Sequence, residues 1–451
     1  MPPSPGAAAM PRFPLCPPAL SLLVLLVAPA ALAQGPSPTL GPNPHLPAPE
    51  QSMIPTLNWA GVDRWKEGDK PTAAAGLDVN AFATGLKHPR WIYVLPNGDV
   101  LVAEAASEPS GSWEPRAMVQ TMVQRMAGSI TENANRISLL RDTDGDGVAD
   151  ISTPFLEGLR QPFGMALIGD TLYVANTDSV VSFPYKEGDT RIADKGTRLL
   201  DLPVGHHWTR NILPSRDGSK LYVTVGSGSN IGEKGMEIEA GRGTILEYDI
   251  ADKQSRIFAS GLRNANGMGW EPATGELWTV VNERDEIGDD LPPDYLTSVK
   301  DGGFYGWPWS YWGKNVDERV KPQRPEMVEK ALTPDYALGG HTAALGLTFD
   351  TGAELPAPYR NGAFIGLHGS WNRKDLSGYK VIFVPFTNGR PNGEPINVLT
   401  DFISTDGNEN ARGRPVGVAF DSRGALLVAD DVGNTVWRVT AAPGNPATRP
   451  D

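Results

Sequence analysis

Short apolar runs recur along the chain, each preceded by a polar stretch and followed by a turn rich in Gly, Asn or Asp. Around Gly85 the chain reads GLKHPRWIYVLPNGDVLVAEA, around Gly158 GLRQPFGMALIGDTLYVANT, and around Gly205 GHHWTRNILPSRDGSKLYVTVGS. Around Gly261 it reads GLRNANGMGWEPATGELWTVVNE, around Thr342 TAALGLTFD with AFIGLHGS later, and around Gly413 GRPVGVAFDSRGALLVADD. Within a unit the β-branched and aromatic residues fall in runs too short for helices, as in Leu101-Val102-Ala103 and Leu221-Tyr222-Val223-Thr224-Val225. That pattern predicts paired strands joined by tight turns. Six such units predict an all-β chain folded as a six-bladed β-propeller with loop and short helical insertions. Two β-sandwiches are the competing arrangement, but one unit recurring over nearly the whole chain disfavours them. One segment departs from period two. Pro115 to Ala127 (PRAMVQTMVQRMA) places Met118, Met122 and Met126 at helical spacing behind a proline suited to a first turn. It is expected to form a short helix over one propeller face, with the methionines packed beneath it.

Composition agrees with a turn-rich β fold: the 451 residues include 50 Gly and 41 Pro. The first 33 residues read as a leader. Arg12 precedes an apolar run from Ala19 that ends in Ala31-Leu32-Ala33, the pattern of a secretory signal peptide and too short to span a bilayer comfortably. Residues 34–75 begin with a Pro-rich stretch and are expected to form a tether. The propeller is expected over 76–440, with a flexible tail over 441–451. Cys16 is the only cysteine and precedes the cleavage point, so the processed chain would carry none. Disulfides, thiolate catalysis, Cys-ligated zinc and covalently attached c-type haem are excluded together. A formal net charge of −13, with no Lys/Arg run, argues against nucleic acid and anionic membranes as partners. The expected location is the periplasm, with no membrane span after cleavage.

The sharpest local motif is Asp142-Thr-Asp144-Gly-Asp146-Gly-Val-Ala-Asp150. Carboxylates at alternating positions around a glycine turn supply oxygen ligands of the kind Ca²⁺ takes. Thr153 stands where an EF-hand has its bidentate Glu, so a structural ion in an inter-strand loop is the expectation. Histidine is scarce. His206 and His207 are adjacent, so on a strand they face opposite ways and cannot easily clamp one metal. One of them can serve as a general base at the open end of the channel, and a purely structural histidine remains an alternative. The run Gly226-Ser-Gly228-Ser-Asn-Ile-Gly232 has the wrong spacing for a dinucleotide loop and no following helix. Gln161, Arg210, Arg263, Asn264, Asn266, Arg373, Arg412 and Arg414 lie near the starts of units. A propeller gathers equivalent positions at one end of its channel, and several arginines there call for an anionic ligand.

The stretch from Gly261 to Trp309 joins these cations to a carboxylate cluster, Glu283, Asp285, Glu286, Asp289 and Asp290. RNANGM, NERDEIGDDLPPDYL, GGFYGWPW, HTAALGLTF, HGSWNR and GRPVGVAFD, in that order, resemble the sorbosone dehydrogenase branch of the soluble quinoprotein sugar dehydrogenases. The resemblance runs from about Gly76 to Val439. It implies a propeller that binds pyrroloquinoline quinone (PQQ) with Ca²⁺ and oxidises an aldose or related sugar, with hydride passing to the quinone C5. It implies His207 as general base, with Asp289 as its orienting carboxylate, and Arg263 polarising the carbonyl that accepts hydride. Gln161, Arg263, Asn264, Asn266, Arg412 and Arg414 are implied as cofactor residues, and the main-chain carbonyls of Arg284 and Asp285 as calcium ligands. Three departures stand out. Arg284-Asp285 replaces a Gly-Pro pair, His206 replaces an Asp before the base, and the family's cofactor lysine has only His368 or Arg373 as counterpart. Electrons would leave to a separate acceptor, a soluble cytochrome or the quinone pool. A calcium-dependent lactonase-type propeller and a non-catalytic carbohydrate- or protein-binding propeller are the alternatives.

Overall fold

The computed structural model describes residues 1–2, 39–50, 56–109, 115–350, 355–404 and 406–444. Met1–Pro36 separates as its own unit from Ser37–Asp451, and the propeller lies in the second. The expected leader, 1–33, falls almost wholly outside the described residues, as do 445–451 of the expected tail. Among the described residues no helix is long and apolar enough to cross a membrane.

Six antiparallel sheets form the blades. Blade 1 comprises Pro89–Val94, Val100–Glu104, Arg136–Arg141 and Ile151–Leu156; blade 2 comprises Met165–Ile168, Thr171–Asn176, Ser179–Pro184 and Thr197–Asp201. Blade 3 comprises Ile212–Pro214, Lys220–Val225, Thr244–Asp249 and Gln254–Ser260; blade 4 comprises Ala265–Trp270, Leu277–Val281, Pro293–Ser298 and Tyr336–Gly340. Blade 5 comprises Ala344–Phe349, Gly362–Leu367, Lys380–Thr387 and Ile396–Thr400. Blade 6 takes three strands from the C-terminal end, Pro415–Phe420, Leu426–Asp430 and Thr435–Ala441. Its fourth comes from the N-terminal side, Leu77–Ala83. Val79 pairs with Val439 and Ala81 with Trp437 across that junction, which closes the ring. The first strand of each blade packs against the first strand of the next, and the sixth against the first. The six units predicted from the periodicity are these six blades.

Burial explains why the strands read as nearly continuous apolar runs. A blade is covered on both faces by its neighbours, and Val100–Glu104 and Leu277–Val281 are buried at every position. The hydrophobic core is accordingly divided into six clusters, one at each blade junction: Leu101, Phe163 and Val174 between blades 1 and 2, for example, and Phe364, Val428 and Trp437 between blades 5 and 6. The glycines that recur in the first strands have a packing cause. A Cβ on Gly346 would lie 2.0 Å from the Val416 carbonyl oxygen, and one on Gly164 2.4 Å from the Ile212 nitrogen. First strands converge on the channel, and their backbones approach too closely for a side chain.

Two expectations change. Much of 34–75 is stitched to the propeller and is not a free tether. Leu40–Gly41 adds to blade 4, Thr72–Ala73 adds to blade 5, and the Asp63 amide donates to the Ala411 carbonyl at 2.9 Å. Trp65 anchors this segment edge-on against Phe402 and Trp437, with ring centroids 5.6 and 5.4 Å away, and its indole N–H donates to Asp430 at 2.7 Å. The helix Pro115–Met126 forms where expected, but its methionines do not pack beneath it. Met118, Met122 and Met126 are 53, 59 and 46% exposed, while Val123 is 6% exposed and faces inward. Gln124, between the methionines, lines the cavity instead.

If 34–75 were a tether, Trp65→Ala would be neutral. Its packing predicts a loss of roughly 3 kcal/mol of stability, measurable by denaturant unfolding.

Candidate active site

In an antiparallel meander, the first-to-second and third-to-fourth turns lie at one end of every blade. The second-to-third and fourth-to-next-blade connections lie at the other. This topology sorts the predicted residues. Asp142 to Asp150 joins the third and fourth strands of blade 1, so it lies at the end away from the fourth-to-first connections that carry His206, His207, Arg263 and His341. One cavity is lined by Arg90, His206, His207, Arg263, Asn264, Asn266, Asp285, His341 and His368, together with Gln124 from the helix of blade 1.

His207 has a defined tautomer. Its Nδ1 lies 2.9 Å from the Ser227 carbonyl oxygen and 3.1 Å from Ser227 Oγ, whose own hydrogen goes to the Ser229 carbonyl at 2.6 Å. Only an N–H satisfies a carbonyl, so Nδ1 carries the proton and Nε2 keeps its lone pair. Burial, with help from His206 and Arg263, holds the ring well below its usual pKa, and it is neutral at pH 7. Desolvation by the wall it packs on, with Arg263, brings His206 down to about 4, although its outer surface is exposed.

His341 is the opposite case. Its Nε2 lies 2.9 Å from the Gly288 carbonyl and its Nδ1 3.3 Å from Asp285 Oδ1, so both nitrogens face acceptors. Burial opposes its charge, but Asp285 and the carbonyl outweigh burial and raise its pKa above 6.5. Burial pushes Asp285 up in turn, and His341 and Arg263 more than reverse it. The result is a buried ion pair at the cavity wall. Asp294 positions it from behind by accepting the Glu283 amide at 2.7 Å and the Ala343 amide at 2.6 Å.

The cations are held mostly by neutral acceptors. Arg263 donates to the carbonyls of Asn230, Asn282 and Glu283 and to Asn230 Oδ1, with Asp285 Oδ2 at 3.4 Å. Arg90 bonds Asp431, whose Oδ2 also faces His368 Nε2 at 2.8 Å and His88 Nε2 at 3.3 Å. Burial pushes Asp431 up, but His368, His88 and Arg90 keep it well below the carboxylate range. The Oδ1 atoms of Asn264 and Asn266, Arg90 Nε and Asp431 Oδ1 are buried without a hydrogen-bond partner. Unsatisfied buried polar atoms around a cavity mark a place where a polar ligand or water completes the bonding.

Several predicted residues stand elsewhere. Gln161 donates to the Ala106 carbonyl at 2.9 Å and is not part of the lining. Arg373 reaches the Gly340 carbonyl and Asp290, Arg412 lies over the Trp65 ring, and Arg414 donates to the Tyr379 hydroxyl. Arg210 is buried among the carbonyls of Pro203, His207 and Thr209 and supports the base loop. Asp289 does not orient His207: its carboxylate accepts the Lys374 amide, and the Ser227 carbonyl does the orienting.

At the 284–285 backbone, one of the two carbonyls expected to hold calcium is already committed to other donors. The Asp285 carbonyl accepts Arg319 Nη1 at 2.9 Å and Asn230 Nδ2 at 3.3 Å, and the Arg284 side chain is fully buried against Glu283 and Asp317. A dication and a guanidinium about 4 Å apart repel by about 8 kcal/mol at an effective dielectric near 20. In the other acidic loop, Asp142, Asp144 and Asp146 bring their oxygens within 4.8 Å of one another. Asp150 is not with them, because it accepts Thr143 N and Oγ1, both at 2.6 Å.

Sequence reasoning missed Arg90, His341 as a charged partner, and Asp431. Arg90 was within reach, because KHPRW in blade 1 occupies the unit start that RNAN occupies in blade 4. Nothing in the sequence marked Asp285 as an ion-pair partner, since its pairing with His341 crosses from blade 4 to the start of blade 5.

A family model described as TrAA12-like matches residues 71–293 and 322–442. A pyrroloquinoline quinone-dependent sugar dehydrogenase of Hypocrea jecorina is 25% identical over 418 residues, 80% of this chain and 87% of that protein. A pyrroloquinoline quinone-dependent pyranose dehydrogenase of Coprinopsis cinerea is 23% identical over 336 residues, 61% of this chain and 45% of that protein. Among solved structures, the iodide structure of Trichoderma reesei family AA12 superposes with a TM-score of 0.68 at 21% identity, covering 87% of this chain and 100% of that one. The holo PQQ domain of the Coprinopsis cinerea pyranose dehydrogenase gives 0.66 at 21% identity, covering 85% and 100%. At that identity the superpositions establish the propeller fold.

The ion pair sets a pH window. His341 contributes stability below about pH 6.5 that is lost as pH rises through its raised pKa; Asp285 contributes above about pH 4, lost as pH falls through its lowered one. Asp285→Asn leaves burial as the dominant influence on His341. Its pKa, followed by NMR, is then expected to fall from above 6.5 to below it; an unchanged value would contradict the pairing.

Proposed function

The chain belongs to the TrAA12-like family, and on that premise we propose that it is a PQQ-dependent sugar dehydrogenase. The observation that carries the reading is the pairing of opposites in one cavity: a neutral, half-buried imidazole with a free Nε2, beside two buried guanidiniums. The residues fit the cofactor. PQQ brings three carboxylates and a quinone, for which Arg263, Arg90 and His341 supply positive charge, while the unsatisfied amide oxygens of Asn264 and Asn266 can accept from an N–H of the cofactor or an O–H of the sugar. His368 lines the same wall and takes the place of the family lysine. When bound, PQQ supplies the two-electron acceptor, taking hydride at C5.

The chain's own residues handle the proton and the charge. His207 accepts the sugar hydroxyl proton at Nε2, while its Nδ1–H stays on the Ser227 carbonyl and fixes the ring. The pushed-down pKa keeps the base free of protons at neutral pH. Arg263, anchored through five hydrogen bonds, presents a fixed positive charge to the oxygen where negative charge develops. An aldose hydroxyl at C1 would leave as a lactone carbonyl, with the proton on His207. The narrower reading, a sorbosone-type member, rests on the order of the motifs from RNANGM to GRPVGVAFD. Gln161, Arg373, Arg412 and Arg414 act as supports one layer out.

Export behind Ala33 to the periplasm, electron transfer to a separate acceptor, and a structural calcium on Asp142, Asp144 and Asp146 complete the proposal. N-terminal sequencing that finds Met1 retained, or calorimetry that finds no calcium uptake, would remove the corresponding part.

Purified protein reconstituted with PQQ is expected to reduce a dye with at least one sugar of an aldose and aldosone panel. Activity that does not depend on PQQ would overturn the proposal. His207→Ala is expected to keep PQQ binding and to lose about 10²-fold or more in kcat. In the wild type, kcat/KM is expected to hold its plateau below pH 6.5, because the free base persists there.

A further inference from the structure

The segment between the third and fourth strands of blade 4 is long, residues 299–335, and it does not stay at the turn end where it begins. Gly303–Phe304 runs parallel to the outer strand of blade 3, pairing with Ala259 and Ser260, and the Trp307 amide then donates to the Gly261 carbonyl. The segment thus climbs the outside of the propeller to the cavity end. There it delivers Asp317 and Arg319.

Arg319 is fully engaged. Its Nε and Nη2 donate to the two oxygens of Asp317 at 2.9 and 2.7 Å, a bidentate pairing. Its Nη1 donates to the carbonyls of Asp285 at 2.9 Å and Glu286 at 3.1 Å. Asp317 is in turn pinned by the buried Arg284, at 3.3 Å, whose other donors hold Glu283, Pro308 and Ser310. From the cavity side, Arg263 takes the carbonyls of Asn282 and Glu283. Four carbonyls of the 282–286 loop are therefore turned to guanidinium groups, and the Asp285 oxygen carries a further donor in Asn230.

We infer that Arg319 provides, as a fixed side-chain cation at the Asp285 carbonyl, the positive charge that the family resemblance would give to calcium at the Arg284 and Asp285 carbonyls. The inference rests on the PQQ reading above. The Asp285 carbonyl, with Arg319 and Asn230 on its two lone pairs, has nothing left for a metal, and calcium needs six to eight oxygens. A guanidinium, unlike a bound ion, is permanent and cannot be chelated. This chain then captures its anionic quinone without calcium at that position. Arg319 acts through the loop it holds, as a positioning residue for Asp285 and the Arg263 cation beside it.

The test is a PQQ titration of the full protein by fluorescence, in EGTA and in millimolar calcium chloride, with folding of each form verified by its melt. The expected wild-type Kd agrees within about twofold between the two buffers. Calcium strengthening wild-type binding about tenfold or more would overturn the inference and leave the PQQ reading intact. No binding in either buffer would overturn that reading and this inference with it. Arg319→Ala frees both carbonyls. It is expected to weaken PQQ binding about tenfold in EGTA and to regain it in calcium. Unchanged affinity, or a loss that calcium does not restore, would assign Arg319 to loop folding alone and contradict the inference. Should the variant fail to fold, the wild-type comparison decides by itself.

Discussion

Closure of the sheet ring is the constraint from which the site follows. Leu77–Ala83 supplies the outer strand of a blade whose other three strands are the last of the fold, so the two ends of the propeller are locked by backbone hydrogen bonds. With the ring closed, the first strands have no freedom to spread, and glycines such as Gly346 and Gly164 are required where backbones nearly touch. The same closure decides which loops meet. Fourth-to-first and second-to-third connections converge at one end, so Arg90, His207, Arg263 and His341 from four blade entries and His368 from a loop within blade 5 share one cavity. No local sequence preference could bring them together.

Charge in that cavity is settled by partners. His207, half-buried, and His341, buried, line one cavity, yet they take opposite protonation states. His207 faces a carbonyl with one nitrogen and gains no carboxylate, so burial prevails and it stays neutral. His341 faces Asp285 and a second acceptor, so it is charged in spite of burial. A base and an electrostatic partner are thus made from one residue type by a single contact. The 282–286 loop shows the same logic in its backbone, with carbonyls committed to Arg263 and Arg319. Preorganised donors of this kind lose no reorganisation energy when charge arrives, which is where such sites gain most of their effect.

The blades were legible because their inner strands are buried on both faces and bounded by turn residues, a signal that is local in sequence. Arg263, Asn264 and Asn266 were legible for the same reason, since they sit at the repeating start of a unit, while His207 was singled out from His206 by the family resemblance. The remainder depended on contacts across blades. Asp289 was a plausible partner for His207 by proximity in the motif, but Lys374 from blade 5 claims it. The Asp285 carbonyl read as a metal ligand until Arg319, 34 residues away, occupied it. Residues 34–75 looked like a Pro-rich tether because Trp65 gives no hint alone that Phe402 and Trp437 await it. The exposed methionines of Pro115–Met126 show the limit of helical spacing, which identifies a face without saying what covers it.

The account stands on the cavity being a cofactor site, and a crystal structure of the protein grown with PQQ tests it most directly. It predicts the quinone in the cavity, within hydrogen-bond distance of Arg263 and facing His207 Nε2. A structure with the cofactor bound elsewhere, or with the cavity closed by solvent alone at saturating PQQ, would contradict it.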